Sequence, residues 1–422
     1  MNFSRALNII TTVLVLGGIC LIANTKPKKK VKHHQEKIKI VNRDAQQIRV
    51  LISEHPLRVI KKISLTAEPE QKLVLSSLDG KAKKKLSSIE LAIVDGMLYS
   101  KKGDESYHKL KGTQFDITPT SGHTNLWESS YDGTMRLEID QKKNQLLVIN
   151  ILPLEDYLYS VLLTEVYQSW PSEMHQVQAI ASRSYAMYHI KNPNGNGKFY
   201  DVKNSNHNQV YNGKHKYTHL RDAIRKTRGI VVTHKDKVAL TMFDACCGGV
   251  IPANVDRKEV HQFPYLARDR RCVYCRGYSL FNWKQSINNM DLAFSLRSHP
   301  LTQSDFKNVG MLKNIKVVSK DKAGVAQELM LVGDKSSAKI KGRSFYEALG
   351  KTTCYSLNIE VKNKAAANKA TANKNDFEIC GKGFGHHLGL CQRGARELVR
   401  KGWSVPNILK FYYPNTTLKV IS

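Results

Sequence analysis

The chain is short of acids. Its 422 residues hold 36 Asp and Glu against 66 Lys and Arg, for a formal charge of +30 and a pI of about 9.7. A surface so lopsided meets polyanions: nucleic acid, anionic lipid or an acidic cell-wall polymer. Further absences narrow that choice. No helix-turn-helix or RNA-binding signature is present, which argues against a nucleic-acid partner. The glycine-rich run near the C-terminus lacks G-x-G-x-x-G spacing and no P-loop GK[ST] occurs, so neither nucleotide fingerprint is met. No internal repeat is visible. Cysteine is present at 20, 246, 247, 272, 275, 354, 380 and 391, but only Cys272-Val-Tyr-Cys275 has C-x-x-C spacing. That is half a zinc site or a redox pair, and no second C-x-x-C completes it. A local disulfide or free thiols is the simpler reading. No metal ligand and no cofactor is assigned.

With 41% hydrophobic residues the chain can bury a substantial core and is long enough for two or three domains. Residues 6–23 are almost entirely apolar after a short positive start. No A-x-A cleavage site follows, so residues 1–25 read as a signal peptide or, preferably, an uncleaved membrane anchor, with 26–45 a basic linker. The lysines after the apolar run favour the cytoplasmic side and oppose export. The remainder reads as extracytoplasmic, so the expectation is an exported protein, periplasmic or extracytoplasmic, anchored to the inner membrane.

Residues 46–150 read as a β-rich N-terminal part. Strands are expected at 48–52 and 72–75, a solvated turn at 81–85, a hairpin 89–99 through Asp95-Gly96, and a strand pair 134–140 and 145–151. Residues 151–422 form the mixed remainder, with helices alternating with short strands at 230–233, 240–243, 315–318 and 328–332. The run AAANKATANKN within 364–376 is a low-complexity, flexible loop. The expected fold class is α+β, with a substrate groove in the mixed part.

The informative stretch is 151–190. Pro153 opens a helix with Glu155 and Asp156 in its first turn, where acids serve the helix dipole. Leu154, Leu158, Val161, Leu162 and Glu165 lie on one helical face. Glu165 is the one acid on that apolar stripe. Half-burial there would disfavour its charged form and raise its pKa, as a general acid requires. Trp170-Pro171 breaks the helix, and Ser172 caps a second one reaching about Ile190. On it Gln178, Ser182 and Tyr185 share a flank, while Arg183 points elsewhere on the surface. Further on, residues 381–389 form a glycine-rich loop with His386 and His387, feeding a helix near 391–400. Glycines so closely spaced indicate tight approach of backbone or ligand.

These blocks together resemble the stage II sporulation protein D family, which includes the amidase enhancers. LPLEDYLYSVLLTEVYQSWPSEMHQVQAIASRSYAM resembles its core motif. YDVKNSNHNQVYNG, KTRGIVVTHKDK with CCGG, and GKGFGHHLGLCQRGARELVRKGWSVPNILKFYYPNTTL resemble later motifs in the same order. The likeness covers about 46–420. It implies a lytic transglycosylase that cleaves the β-1,4 bond between N-acetylmuramic acid and N-acetylglucosamine without water, leaving 1,6-anhydro ends on strands already stripped of stem peptides. The family's catalytic acid falls on Glu165. Motif position carries over Gln178, Arg183, Tyr185, His207, Gln209, Tyr211, His386 and Gln392 as substrate-binding residues. The Gln and Tyr residues would hydrogen-bond sugar, Arg183 would pair a carboxylate, and His386 would orient the transition state. The alternative for each is a structural bond that holds the groove.

Departures from the family pattern occur at His387, where a glycine is usual, at Cys391 for serine, at Arg393 for tryptophan and at Cys246-Cys247 for Ser-Ser. Some relatives bind zinc through cysteines in the YDVKNSNHNQVY segment, where this chain has Lys203 and Asn208. The implied partners are peptidoglycan strands, a cell-wall amidase, and the membrane through the N-terminal segment. Two competing functions are a non-catalytic wall-binding protein that stimulates an amidase, and a Cys391/His386 thiol protease, which lacks an oxyanion or third-residue pattern.

Overall fold

The computed structural model describes residues 46–421, apart from 59–61, 78–82, 95, 102–105, 194–198, 206–207, 216, 256–257 and 364–375. The apolar N-terminal segment, the basic linker and most of the low-complexity loop lie outside the described residues. Among the described residues no helix is long and apolar enough to cross a membrane.

The protein is α+β. Alternation of apolar and polar residues makes Gln47–Pro56 a strand that buries Ile48 and Val50. It pairs antiparallel with Gln145–Pro153, which pairs on its other edge with Thr134–Asp140, all within a seven-stranded sheet. A second, six-stranded sheet contains Lys62–Ala67 and Ser88–Val94. Ser88–Val94 turns back into Met97–Lys101 with Gly96 at φ +74°, as an Asp-Gly hairpin requires. Both sheets bury their apolar residues in one core. The turn expected at 81–85 is corrected: Lys83–Leu86 is an edge strand paired with Leu73–Ser77. Lysines suit an edge, because their charge discourages further pairing.

The same core continues past residue 150 into the helices. In α1 (Leu154–Glu165) Pro153 is the N-cap, and Leu154, Leu158, Val161 and Leu162 are buried. Glu165 is the helix's last residue, so α1 ends before the Trp170-Pro171 break. Helix α2 (Ser172–Lys191) takes Pro171 as its N-cap, so Ser172 is helical and does not cap it. Helix α3 (His219–Lys226) packs on both.

Residues 283–379 build a core of their own. It contains α4 (Asn289–Ser298), α5 (Gln303–Phe306), α6 (Gly342–Leu349) and a three-stranded sheet of Leu312–Lys320, Ala326–Gly333 and Ser337–Lys341. A third core joins Trp170, Met174, Val177 and Ile180 to α7 (Gln392–Arg400) and α8 (Val405–Tyr412). Thr417–Val420 returns to pair with Ile230–His234. The strand expected at 240–243 is only Phe243–Asp244, parallel to Leu390–Cys391.

Candidate functional site

A groove of about 780 Å³ opens where α1 ends. Its walls are the 163–170 turn, α2 at Tyr185, residues 242–245, the glycine loop and the Tyr346–Lys351 region of the 283–379 core. Glu165 lines it and is half-buried. Burial raises its carboxyl above the usual range. The Val210 N–H, donating to Oε1 at 3.3 Å, and the Lys351 ammonium pull it back only in part. The result is an acid that holds its proton to higher pH than an exposed glutamate and faces open space.

Two glutamines fix that acid from behind. Gln392, the first residue of α7, donates from Nε2 to the Glu165 backbone carbonyl at 3.0 Å and to Gln178 Oε1 at 3.3 Å. Gln178 in turn donates to Ser182 Oγ at 3.2 Å. Tyr185 also lines the groove, and its hydroxyl accepts from Asn208 Nδ2 at 2.8 Å. His386 is on the groove wall. Its Nδ1 accepts from the Leu388 N–H at 3.0 Å, which leaves the proton of a neutral ring on Nε2. The ring is exposed to the groove, yet the protein mass packed around it, with His387 and Lys351, lowers its pKa, which favours the neutral form.

Other motif residues are elsewhere. Arg183 is fully buried, not on the surface, and pairs bidentately with Glu155 at 2.7 and 2.8 Å. It also donates to the carbonyls of Ile230 and Ile224. The guanidinium therefore ties α2 to α1 and α3 and does not reach the groove, so its expected role on a substrate carboxylate is corrected to a structural one. Glu155 serves as its partner. Gln209 is buried, accepting from Tyr157 Oη at 2.9 Å, and Tyr211 donates to Asn150 Oδ1 at 2.6 Å beneath the sheet. Neither lines the groove. His207 lies outside the described residues.

The groove also holds residues that motif position did not single out. Lys351 is one. Arg393, standing where the family has tryptophan, lies over Tyr278, Tyr167 and Trp170 at 4.3, 4.9 and 5.2 Å from their ring centres. Tyr167 is 60% exposed beside them. Asp244 is the second acid on the wall. Burial pushes its pKa well up, and Oδ2 accepts the His387 N–H at 2.7 Å.

The glycines of the loop serve backbone contact. Phe384 and Cys246 exchange two backbone hydrogen bonds, and a Cβ on Gly383 would sit 2.6 Å from the Cys246 carbonyl oxygen. His387 occupies φ +68°, the left-handed region that glycine fills more easily. The first-turn N–H of Arg393 is taken by the Ala245 carbonyl, which leaves less of this helix end for an anion. Behind the loop, Cys247, Cys272, Cys275 and Cys391 converge, all buried. Spacing of the C-x-x-C pair alone did not reveal its two distant companions.

A half-buried acid at a helix end, facing a groove with aromatic and basic walls, defines a candidate glycan- or polyanion-processing site. Residues 142–234 match the family model described as stage II sporulation protein, and 210–389 match a domain of unknown function. An uncharacterized protein of Brachyspira hyodysenteriae is 32% identical over 271 residues, 64% of this chain and 67% of the relative. The amidase enhancer of Bacillus subtilis is 26% identical over 383 residues, 81% of this chain but 53% of the relative, so the chain spans about half of that protein. Stage II sporulation protein D of Bacillus subtilis is 21% identical over 285 residues, 63% of this chain and 74% of the relative. The chain belongs to the stage II sporulation protein D family.

Proposed function

We propose that the chain acts on the cell wall as a lytic transglycosylase, cutting the bond between N-acetylmuramic acid and N-acetylglucosamine in strands stripped of stem peptides. Family membership supports the cell-wall role. The observation that carries the chemistry is Glu165, one half-buried acid with a raised pKa, open to the groove.

The Glu165 carboxyl gives its proton to the glycosidic oxygen as the bond to C1 breaks. Its carboxylate then takes the proton of the muramic 6-hydroxyl as that oxygen bonds to C1. Glu165 ends protonated and no water is consumed. Lys351 stabilises the intervening carboxylate by charge. Glycoside hydrolases of the usual kind need a second carboxylate. Asp244 is a poor one, since burial favours its protonated form. Stacked Arg393 supplies a cation for muramic lactyl carboxylates, and exposed Tyr167 supplies apolar surface for a sugar ring.

The test is incubation of the purified chain with amidase-treated glycan strands and mass spectrometry of the products. Anhydro ends are expected, falling by about 10²-fold or more in Glu165→Gln. Reducing ends would instead mean hydrolysis. Strand binding without cleavage would move the assignment to the second reading, a wall-binding protein that stimulates an amidase, which the name of the amidase enhancer favours. Amidase rates with and without the chain measure that reading directly. Export and anchoring through residues 1–25 belong to the same proposal. Protection of the chain from external protease in cells stripped of outer barriers would refute them.

A further inference from the structure

Of the seven cysteines among the described residues, four meet in one place. Cys247 comes from the tight loop after Phe243–Asp244, Cys272 and Cys275 from a turn, and Cys391 is the N-cap of α7. Their sulfurs all lie within 4.8 Å of one another, and all four residues are buried. Cys247 and Cys275 Sγ are 3.7 Å apart, and Cys272 and Cys275 Sγ 3.9 Å apart. Four thiolates bound at about 2.3 Å to one ion lie about 3.8 Å apart at the edges of a tetrahedron. A disulfide would need about 2.05 Å. The spread is also too small for an iron–sulfur cluster, whose several metals must fit between its cysteines.

The surroundings are those of a ligand shell. The Cys247 N–H donates to Cys391 Sγ at 3.3 Å, and the Tyr412 hydroxyl lies 3.2 Å from Cys272 Sγ. Such contacts orient sulfur ligands and offset their charge. Arg268 is buried, with no carboxylate bonded to it among the described residues and its Nε unpartnered; its charge also acts on buried Asp244. Its other nitrogens donate to the Gly389 and Val250 carbonyls, and the guanidinium lies 5.8 Å from the ring centre of Tyr412, whose hydroxyl meets Cys272. Four thiolates and one divalent ion carry a net −2, and Arg268 is the buried cation that offsets part of it. At Gly394 a Cβ would come within 2.6 Å of Cys272 Sγ and 2.2 Å of Tyr412 Oη, so glycine there leaves room for the sulfurs.

We propose that Cys247, Cys272, Cys275 and Cys391 bind one zinc ion in a closed, tetrahedral, structural site. With four protein ligands no position is left for substrate, so the ion does not take part in the reaction. It staples the loop after Phe243–Asp244, the C-x-x-C turn and the start of α7 together. Cys391 precedes Gln392, whose side chain holds the Glu165 carbonyl, so the site supports the groove from beneath. This inference does not depend on the catalytic reading.

The experiment is elemental analysis of the full chain purified without chelator under reducing conditions. One zinc per chain is expected. Cobalt exchanged for it should show thiolate-to-metal charge transfer and the intense visible bands of tetrahedral coordination. Stripping with a chelator should lower Tm, and zinc should restore it. Cys272→Ser and Cys391→Ser should lose the metal, while Cys380→Ser, outside the cluster, keeps it. If the serine variants do not fold, the metal content and cobalt spectrum of the unaltered chain still decide. A metal-free chain that takes up no cobalt, disulfides among these four cysteines, or iron in place of zinc would each overturn the assignment.

Discussion

Arg183 shows how far a residue's role depends on its surroundings. Its helix is buried on almost every side, between α1, α3 and the strand Ile230–His234. A guanidinium in that position needs a fixed counter-charge, and Glu155 supplies it with two charge-assisted bonds. Taking away one partner strands the other in low dielectric. Arg183→Ala or Arg183→Leu should therefore destabilise the fold by about 3–5 kcal/mol, measured by urea unfolding. Glu155→Gln should cost less, since an amide still accepts from the guanidinium. Equal stability of Arg183→Ala and the parent would remove the structural role. Glu165 differs from Glu155 by position alone. One faces a guanidinium, the other a groove.

At the scale of elements, the groove is assembled from parts far apart in the chain. The 283–379 core contributes Tyr346 and leads into Lys351, whose ammonium lowers the Glu165 pKa while burial raises it. In the proposed reaction the protonated acid is the active form, so activity should fall as pH rises through that pKa. Removing the cation leaves the Val210 N–H as the opposing contact and lets burial raise the pKa further. In Lys351→Met the alkaline limb of kcat/KM should move to higher pH, while Lys351→Arg keeps it in place. A limb that stays fixed in Lys351→Met would separate it from Glu165. The local half of this design was legible from sequence. Apolar spacing put Glu165 at the end of a buried stripe, and period-two alternation found the 134–140 and 145–151 pairing. The distant half was not. Nothing in local pattern places Lys351, or joins Cys247 and Cys391 to a C-x-x-C turn. Helical spacing also misplaced Arg183, because a helix covered on all sides has no solvent face to which a charge must turn. The left-handed His387 was visible only as a departure from a glycine, and the structure gives it work: its Nδ1 lies 3.1 Å from the Cys247 carbonyl, beside the thiol cluster.

For the whole molecule, the +30 charge is the property a long acidic polymer meets first. Denuded glycan strands carry a lactyl carboxylate on every muramic residue and no peptide to balance it. Long-range attraction should raise the rate and strength of capture, and salt should weaken both. Arg393 and Lys351 carry the same preference into the groove. Two glycans of equal length separate charge from shape: a denuded muramyl strand, and a chitin oligomer with the same backbone and no lactyl group. Raising NaCl from about 0.05 to about 0.5 M shortens the Debye length to under about 5 Å. Affinity for the muramyl strand should fall on the order of tenfold or more over that range, with little change for the chitin oligomer. Arg393→Ala should flatten the muramyl salt slope. Identical slopes for the two glycans would mean that the charge serves another partner and that the groove reads sugar shape alone.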